Sequence, residues 1–396
     1  MSIRLMQFFL PQDTLSIALM AVAVVAALWI IFNYCSMIRS VEPCEPYTDG
    51  SKPLEEPMPK ISIIVYDKES SRALNRLLTA IFDQDYPGDY EIIVVSDGKS
   101  SHTADVVNQL QADHHNLHLT FVPDEAHALS RKKLAIALGI KAAKYPLVIL
   151  TESDMLPSSE KWLTTMARHF AAGSTLVIGF ASPRERNGHR TSAMARFDIL
   201  ADAVTYLSRA VKGEPYRGSA SCLGFERRLI LDHKGLTNSV GLHNGEDDII
   251  VSTMAPHARP SVAIEEDALV TLQCPDFYTQ HRLSKLRHNF TAGMVYRGAR
   301  RRMAAASAMM WAWIAATVAC FCLCKPNMLP GVIAAVAGLA WIVAATLAWV
   351  KASRVLGIRV NFLALPLLMI FRPFYNFVYL LRARSYRRRN FTWAKP

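Results

Sequence analysis

Three stretches of this 396-residue chain contain no charged residue: Thr14 to Met37, Met303 to Cys324 and Met328 to Val350. The lack of charge excludes an ordinary solvated surface there, and each run meets the roughly 20 residues that an α-helix needs to cross a bilayer. The first run also lacks a small-residue cleavage site behind it and exceeds the apolar core of a signal peptide, so it reads as a retained anchor. The seven cysteines show no spacing that pairs them. That excludes a disulfide framework or a zinc site and leaves reduced thiols, with the CFCLC run at the end of the second uncharged stretch as packed or lipid-facing sulfur. No basic and aromatic motif stands in the middle of the chain, which argues against a nucleic-acid partner despite a formal charge of +11.

What is present is placed unevenly. Arg297, Arg300, Arg301 and Arg302 precede the second uncharged run, Lys351, Arg354 and Arg359 follow the third, and only Lys325 stands between them. By the positive-inside rule this hairpin opens to the cytoplasm, which puts the middle domain inside and the N-terminus outside. A further apolar stretch, Phe362 to Phe371, is broken by Arg372-Pro373 and is too short to cross. It is expected as an interfacial or re-entrant helix, with the basic run Arg382 to Arg389 on anionic headgroups. The chain divides into an anchor (1–40), a Pro- and Glu-rich linker (41–59), an α/β domain (60–275), an amphipathic interfacial segment (276–302), a transmembrane hairpin (303–350) and the interfacial helix with its basic tail (351–396).

Within the α/β domain, continuous apolar runs at Ile61 to Tyr66, Glu91 to Asp97, Leu117 to Val122 and Pro146 to Leu150 read as strands. Helical spacing fills the gaps at Arg72 to Phe82, Ala104 to Gln111 and Arg131 to Ala143. The alternation predicts a parallel sheet with helices on both faces and ligands beyond the carboxyl ends of the strands. Carboxylates gather at those ends: Asp67 and Glu69, then Asp97, then Glu152 and Asp154 in the stretch LTESDML. Residues two apart in a strand share a face, so Glu152 and Asp154 are like charges side by side. Alone they read as a solvated strand end, but five carboxylates on one rim call for a cation or a hydrogen-bonding ligand. Lys132 and Lys133 open a helix near this rim and either meet phosphate or form a solvated face. His114, His115 and His118 are expected in a surface loop, not at a metal.

The stretches ISIIVYDKESSRALNRLLTAIFDQDYPGDYEIIVVSDGKSS, SRKKLAIALGIKAAKYPLVILTESDMLPSSEKWL, YRGSASCLGFERRLI, GLHNGEDDII and SKLRHNF, in this order, resemble family 2 glycosyltransferases, in particular bacterial membrane-anchored members. The resemblance runs from Lys60 onward. It implies a GT-A fold in the cytoplasmic domain, an inner-membrane location, a role in cell-envelope biosynthesis, and a nucleoside diphosphate sugar as donor, with UDP-sugars favoured. It further implies Mg²⁺ or Mn²⁺ held by Asp154 in TESD, with Glu152 near the ribose or the metal's water shell. Asp97 would contact the nucleobase, Glu69 and Lys132 would belong to the donor site, and Asp247 would be the general base. Arg287 and His288 match the Arg and aromatic of a QxxRW-like motif over the diphosphate. Cys222, Glu246 and Asp248 fall on the acceptor side, with Asp248 a second candidate for the base. Gly218 and Gly224, in the same segment as Cys222, line that side or serve tight packing.

These residue types suit the reaction. Negative charge grows on the departing diphosphate, so hard oxygen ligands, a divalent cation and an Arg fork are needed. The acceptor hydroxyl must lose its proton to a carboxylate. Attack from the face opposite the leaving group inverts the anomeric centre. Four departures from the family pattern stand out: YDKES after the first strand, Glu152 for Asp, Ser284 for Gln and His288 for Trp. The last of these and so few spans favour transfer of a single sugar or short oligomer to a lipid-linked or polysaccharide acceptor, while the changes at Glu152, Ser284 and His288 suit a catalytically degenerate member. A processive synthase and a catalytically degenerate assembly partner are the alternatives.

Overall fold

The computed structural model describes residues 14–42, 58–68, 71–98, 101–123, 129–185, 192–219, 221–233, 236, 239, 241–242, 245–274, 277–294, 297–324 and 328–385. In chain order the elements are α1 (Thr14–Arg39), β1 (Ile61–Asp67), α2 (Ser71–Phe82), β2 (Tyr90–Ser96), α3 (Ser101–Gln111), β3 (Leu117–Phe121), α4 (Arg131–Ala142), β4 (Leu147–Glu152), β5 (Met155–Pro157), α5 (Trp162–Ala171) and β6 (Leu176–Gly179). They continue as β7 (Ala181–Glu185), α6 (Ala193–Val211), β8 (Leu223–Glu226), α7 (Arg227–Leu231), α8 (Glu246–Met254), β9 (Pro260–Ala263), β10 (Val270–Cys274), α9 (Phe277–Thr291), α10 (Arg297–Leu323), α11 (Leu329–Val355) and α12 (Leu365–Ser385).

β1 is buried along its whole length, as the centre of a sheet covered on both faces must be. It pairs in parallel with β2 and β4, and β2 pairs in parallel with β3. The full order is β3-β2-β1-β4-β8-β6-β9. The all-parallel sheet expected from the sequence is corrected, because β8 runs antiparallel between β4 and β6. The strand and helix alternation that supports a parallel reading stops at β4, and the four residues of β8 are too short to show a period. A second sheet, β5-β10-β7, closes over the end of the first.

Alternate strand residues serve two cores. Ile61, Ile63 and Val65 face Leu74, Leu77, Leu78 and Ile81 of α2, an i, i+3, i+4, i+7 stripe, while Ile64 and Tyr66 face α4 and α6. Gly179, where β6 ends, is a point of close approach: a Cβ there would sit 2.2 Å from Cys222 Sγ. Gly179→Ala should cost about 1–3 kcal/mol through overpacking, measured by urea denaturation.

The second core continues into the apolar helices. Trp349 of α11 meets Tyr34 of α1 and Phe197 of α6 edge to face, with centroids 5.5 and 5.4 Å apart. Outward, α1 exposes Val25, Leu28 and Phe32, and α11 exposes Val336, Leu339 and Leu347. Among the described residues α1 and α11 are long and apolar enough to cross a membrane, and α10 carries a shorter apolar stretch, Ala308–Leu323. The break expected at Arg372-Pro373 is also corrected, since α12 runs through Pro373 to Ser385. Pro373 removes one helical N–H, but Arg372 is fixed to α6 by bonds to Asp198 (3.1 Å) and Asp202 (2.7 Å).

Candidate active site

Parallel register brings the strand ends level. Tyr66 pairs with Glu152 and Asp67 with Ser96, and the N–H groups of Asp97 and Ser153 each donate at 3.0 Å to the carbonyls of Asp67 and Tyr66. Just beyond this edge, Lys132 in the first turn of α4 joins two other elements. Its Nζ lies 3.2 Å from Glu152 Oε1 at the end of β4 and 2.8 Å from Glu246 Oε1 at the start of α8. Ser221 Oγ donates to the same Glu152 oxygen at 2.6 Å.

The carboxylates around this lysine differ. Burial, then the adjacent Glu152 charge, pushes the Asp154 acid up to about 7, against the pull of Lys132. Its Oδ1 is buried with no hydrogen-bond partner among the described residues. For Glu246 burial also acts upward, but Lys132 outweighs it and holds the acid below its ordinary value. Glu246 Oε2 is a second buried oxygen with no hydrogen-bond partner among the described residues. Asp67 and Asp97 are satisfied locally: Thr103 Oγ1 donates to Asp67 at 2.5 Å, and Arg131 donates to the Asp97 carboxylate at 2.6 Å and to its carbonyl at 2.8 Å.

On the other side of α8 stands a buried chain. Gly245, at φ +100°, occupies the left-handed region where a side chain would be strained, and it turns the backbone into α8. Asp248 then accepts from Arg217 Nε at 2.6 Å, from His288 Nδ1 at 3.1 Å and from Thr291 Oγ1. Burial would raise this acid, but Arg217, then His288 and Thr291, hold it well below the carboxylate range. An ionised Asp248 only accepts, so the Nδ1 of His288 carries a proton, and its Nε2 faces Ser284 Oγ at 3.1 Å. Ser284 and His288 lie four apart on α9, so two departures from the family pattern are one bonded pair. With the exposed Arg287 they line a small cavity of about 30 Å³ beside Glu246.

α9 is itself held in place. Asp198, fully buried on α6, accepts from Lys285 and Arg372 and lies 3.3 Å from His281. Burial acts against the charge, but Lys285 first among its partners keeps the acid far below the usual range.

The Asp248 site makes a stability prediction. Asp248→Ala leaves Arg217 buried without its counter-ion and should cost roughly 3–5 kcal/mol. A depressed folded-state acid contributes stability that is present above the unfolded value of about 4 and lost as pH falls below it. Urea titrations from pH 7 downward should show the gap between parent and variant narrowing in that acid window.

A family model described as Glycosyltransferase like family 2 matches residues 59–292, more than half of the chain. The chain belongs to glycosyltransferase family 2. Among solved structures, the mannosyltransferase PcManGT from Pyrobaculum calidifontis, in complex with GDP-Man and Mn²⁺, is similar over 86% of this chain and 97% of its own, at 18% identity and a TM-score of 0.50. S. aureus TarS 1-349 is similar over 83% of this chain and 91% of its own, at 17% identity and a TM-score of 0.41. The same TarS fragment in complex with UDP-GlcNAc gives a TM-score of 0.40 at 17% identity. No curated protein matches the chain. The GT-A fold of this glycosyltransferase is thereby shown.

The geometry gathers Lys132, Glu152 and Glu246 into one cluster, and sets Asp248, Arg287 and His288 together on its flank. Asp97 instead pairs with Arg131. Glu69 and the Asp247 side chain lie outside the described residues. Lys133 is no solvated residue: it is fully buried, and its Nζ donates to the carbonyls of Ser239 (2.8 Å) and Leu242 (3.3 Å). Cys222, placed on the acceptor side by the resemblance, is buried against Gly179 in the core, where burial pushes its thiol up to about 12. Ser221, Arg217 and Asp198 were not singled out from the sequence. Arg217 and Ser221 both stand in the YRGSASC stretch, whereas Asp198 lies in no motif.

Proposed function

We propose that this glycosyltransferase is an inverting, metal-dependent enzyme that moves a sugar from a nucleoside diphosphate donor to a lipid-linked or cell-envelope acceptor at the cytoplasmic face of a bacterial inner membrane. The observation that carries the reading is the Lys132 bridge between Glu152 and Glu246 beside the unpartnered Asp154 oxygen, at the carboxyl end of the sheet. Both solved relatives named above include complexes with nucleotide sugars, GDP-Man in one and UDP-GlcNAc in the other.

The residues fit a divalent cation. Asp154 Oδ1 is a buried, hard carboxyl oxygen with no hydrogen-bond partner among the described residues, and Mg²⁺ or Mn²⁺ is commonly held by one or two carboxylates together with substrate phosphates. Bound there, the cation would neutralise charge on the departing diphosphate. Arg287 binds phosphate oxygens through its fork, and Lys132 bridges Glu152 and Glu246. Asp247 takes the acceptor proton. The exposed apolar faces of α1 and α11 support membrane embedding, and α12 with its basic tail supports contact with lipid headgroups.

Calorimetric titration of the purified protein with UDP and with GDP tests the donor site. Binding that requires Mn²⁺ is the expected result, and absence of metal-dependent binding to either nucleotide would sink the reading.

A further inference from the structure

A second cavity, of about 170 Å³, lies between α6 and α9. Its lining combines apolar surface from Phe180, Ile199 and the ring of Tyr206 with polar groups from Ser219, Ser284 and His288. It borders the flank of the donor site. Ser219 is two residues from Ser221, which bonds Glu152, and His288 borders both this cavity and the small one beside Glu246.

The charges of the lining decide what the cavity can hold. Arg217 is closed by Asp248 at 2.6 Å, Lys285 by Asp198, and Asp202 by Arg372 at 2.7 Å. Arg217, Lys285 and Asp202 are thus each matched by an opposite charge, so a phosphate entering here would have to compete with an existing ion pair. Hydroxyl donors and acceptors combined with aromatic and aliphatic surface suit a ligand with polar edges and C–H faces. Resting on the glycosyltransferase reading above, we propose that this cavity is the acceptor subsite and that it takes a neutral sugar ring, so that the acceptor is already glycosylated and does not present a bare lipid phosphate. The ring lies with its C–H face on Tyr206, and its hydroxyls meet Ser219, Ser284 and the Nε2 of His288.

The test uses the full chain in a sugar-free zwitterionic detergent, with Mn²⁺ and UDP or GDP present. Octyl glycosides of several hexoses and N-acetylhexosamines, and separately farnesyl phosphate, are titrated against tryptophan fluorescence. At least one octyl glycoside should bind saturably. Ser219→Tyr, which fills the cavity from its half-buried rim, should weaken that binding by about tenfold or more, and Ser219→Ala by no more than about threefold. Ala203→Leu, filling from α6, should weaken it likewise, and retained nucleotide binding certifies the fold of each variant. Nucleotide binding without binding of any glycoside, or farnesyl phosphate binding that Ser219→Tyr weakens, overturns the subsite and leaves the donor reading standing. Loss of metal-dependent nucleotide binding in the parent overturns both.

Discussion

Asp247→Asn is expected to slow sugar transfer by about 10²–10⁴-fold, the usual worth of a general base, while nucleotide binding stays close to that of the parent. Three acids follow Gly245, and two are committed. Glu246 is engaged by Lys132 at 2.8 Å, and Asp248 accepts from Arg217, His288 and Thr291. Both are held ionised by those partners, which makes them poor acceptors of a further proton. Asp247 stands between them in the sequence, in the first turn of α8. Asparagine preserves size and removes proton acceptance. Single-turnover transfer and calorimetric nucleotide titration, run on the same preparation, separate the roles. Transfer within tenfold of the parent would remove Asp247 as the base, and an equal loss of nucleotide affinity would move it to the donor site.

The parts of the fold legible in the sequence are those where one local pattern determines the structure. ISIIVYD is β-branched and apolar without interruption, so it has one good place, the covered centre of a sheet, and its end then fixes where Asp67 and its neighbours lie. The antiparallel β8 has only LGFE to announce it, and the Pro373 helix survives on ion pairs to residues about 170 positions earlier, which no local window contains. The site divides in the same way. Glu152 and Asp154 stand out because two carboxylates end an apolar strand. The partners that decide their chemistry come from elsewhere: Lys132 from α4, Ser221 from the loop before β8 and Glu246 from α8. The spacing of SKLRH places Ser284 and His288 on one helical face, but their bond to each other becomes meaningful only once Asp248 fixes the imidazole tautomer. Asp198 shows no pattern at all, and it anchors the helix that carries the motif.

Asp154→Asn is expected to abolish the Mn²⁺-dependent part of nucleotide binding while raising the melting temperature of the metal-free protein. The two effects share one cause. Burial, then Glu152, pushes the Asp154 acid up to about 7, so the folded state holds this proton more tightly than the unfolded chain does. Such a group stabilises the fold fully below the unfolded carboxylate value of about 4, and that contribution is lost as pH rises towards 7. At pH 8 the metal-free parent therefore carries a charged, partly desolvated oxygen with no partner, a cost that a bound cation offsets and a neutral amide removes. Thermal unfolding at pH 8 should place the variant a few degrees above the parent without metal, since about 1 kcal/mol moves the transition by roughly 2–4 °C in a domain of this size. Adding Mn²⁺ with nucleotide should reverse the order, because only the parent gains binding energy in its folded state. An equal Mn²⁺-dependent shift in both proteins would show that Asp154 is not the ligand. A variant less stable than the parent without metal would show that the buried oxygen has a partner and that its strain is not held in reserve for a cation.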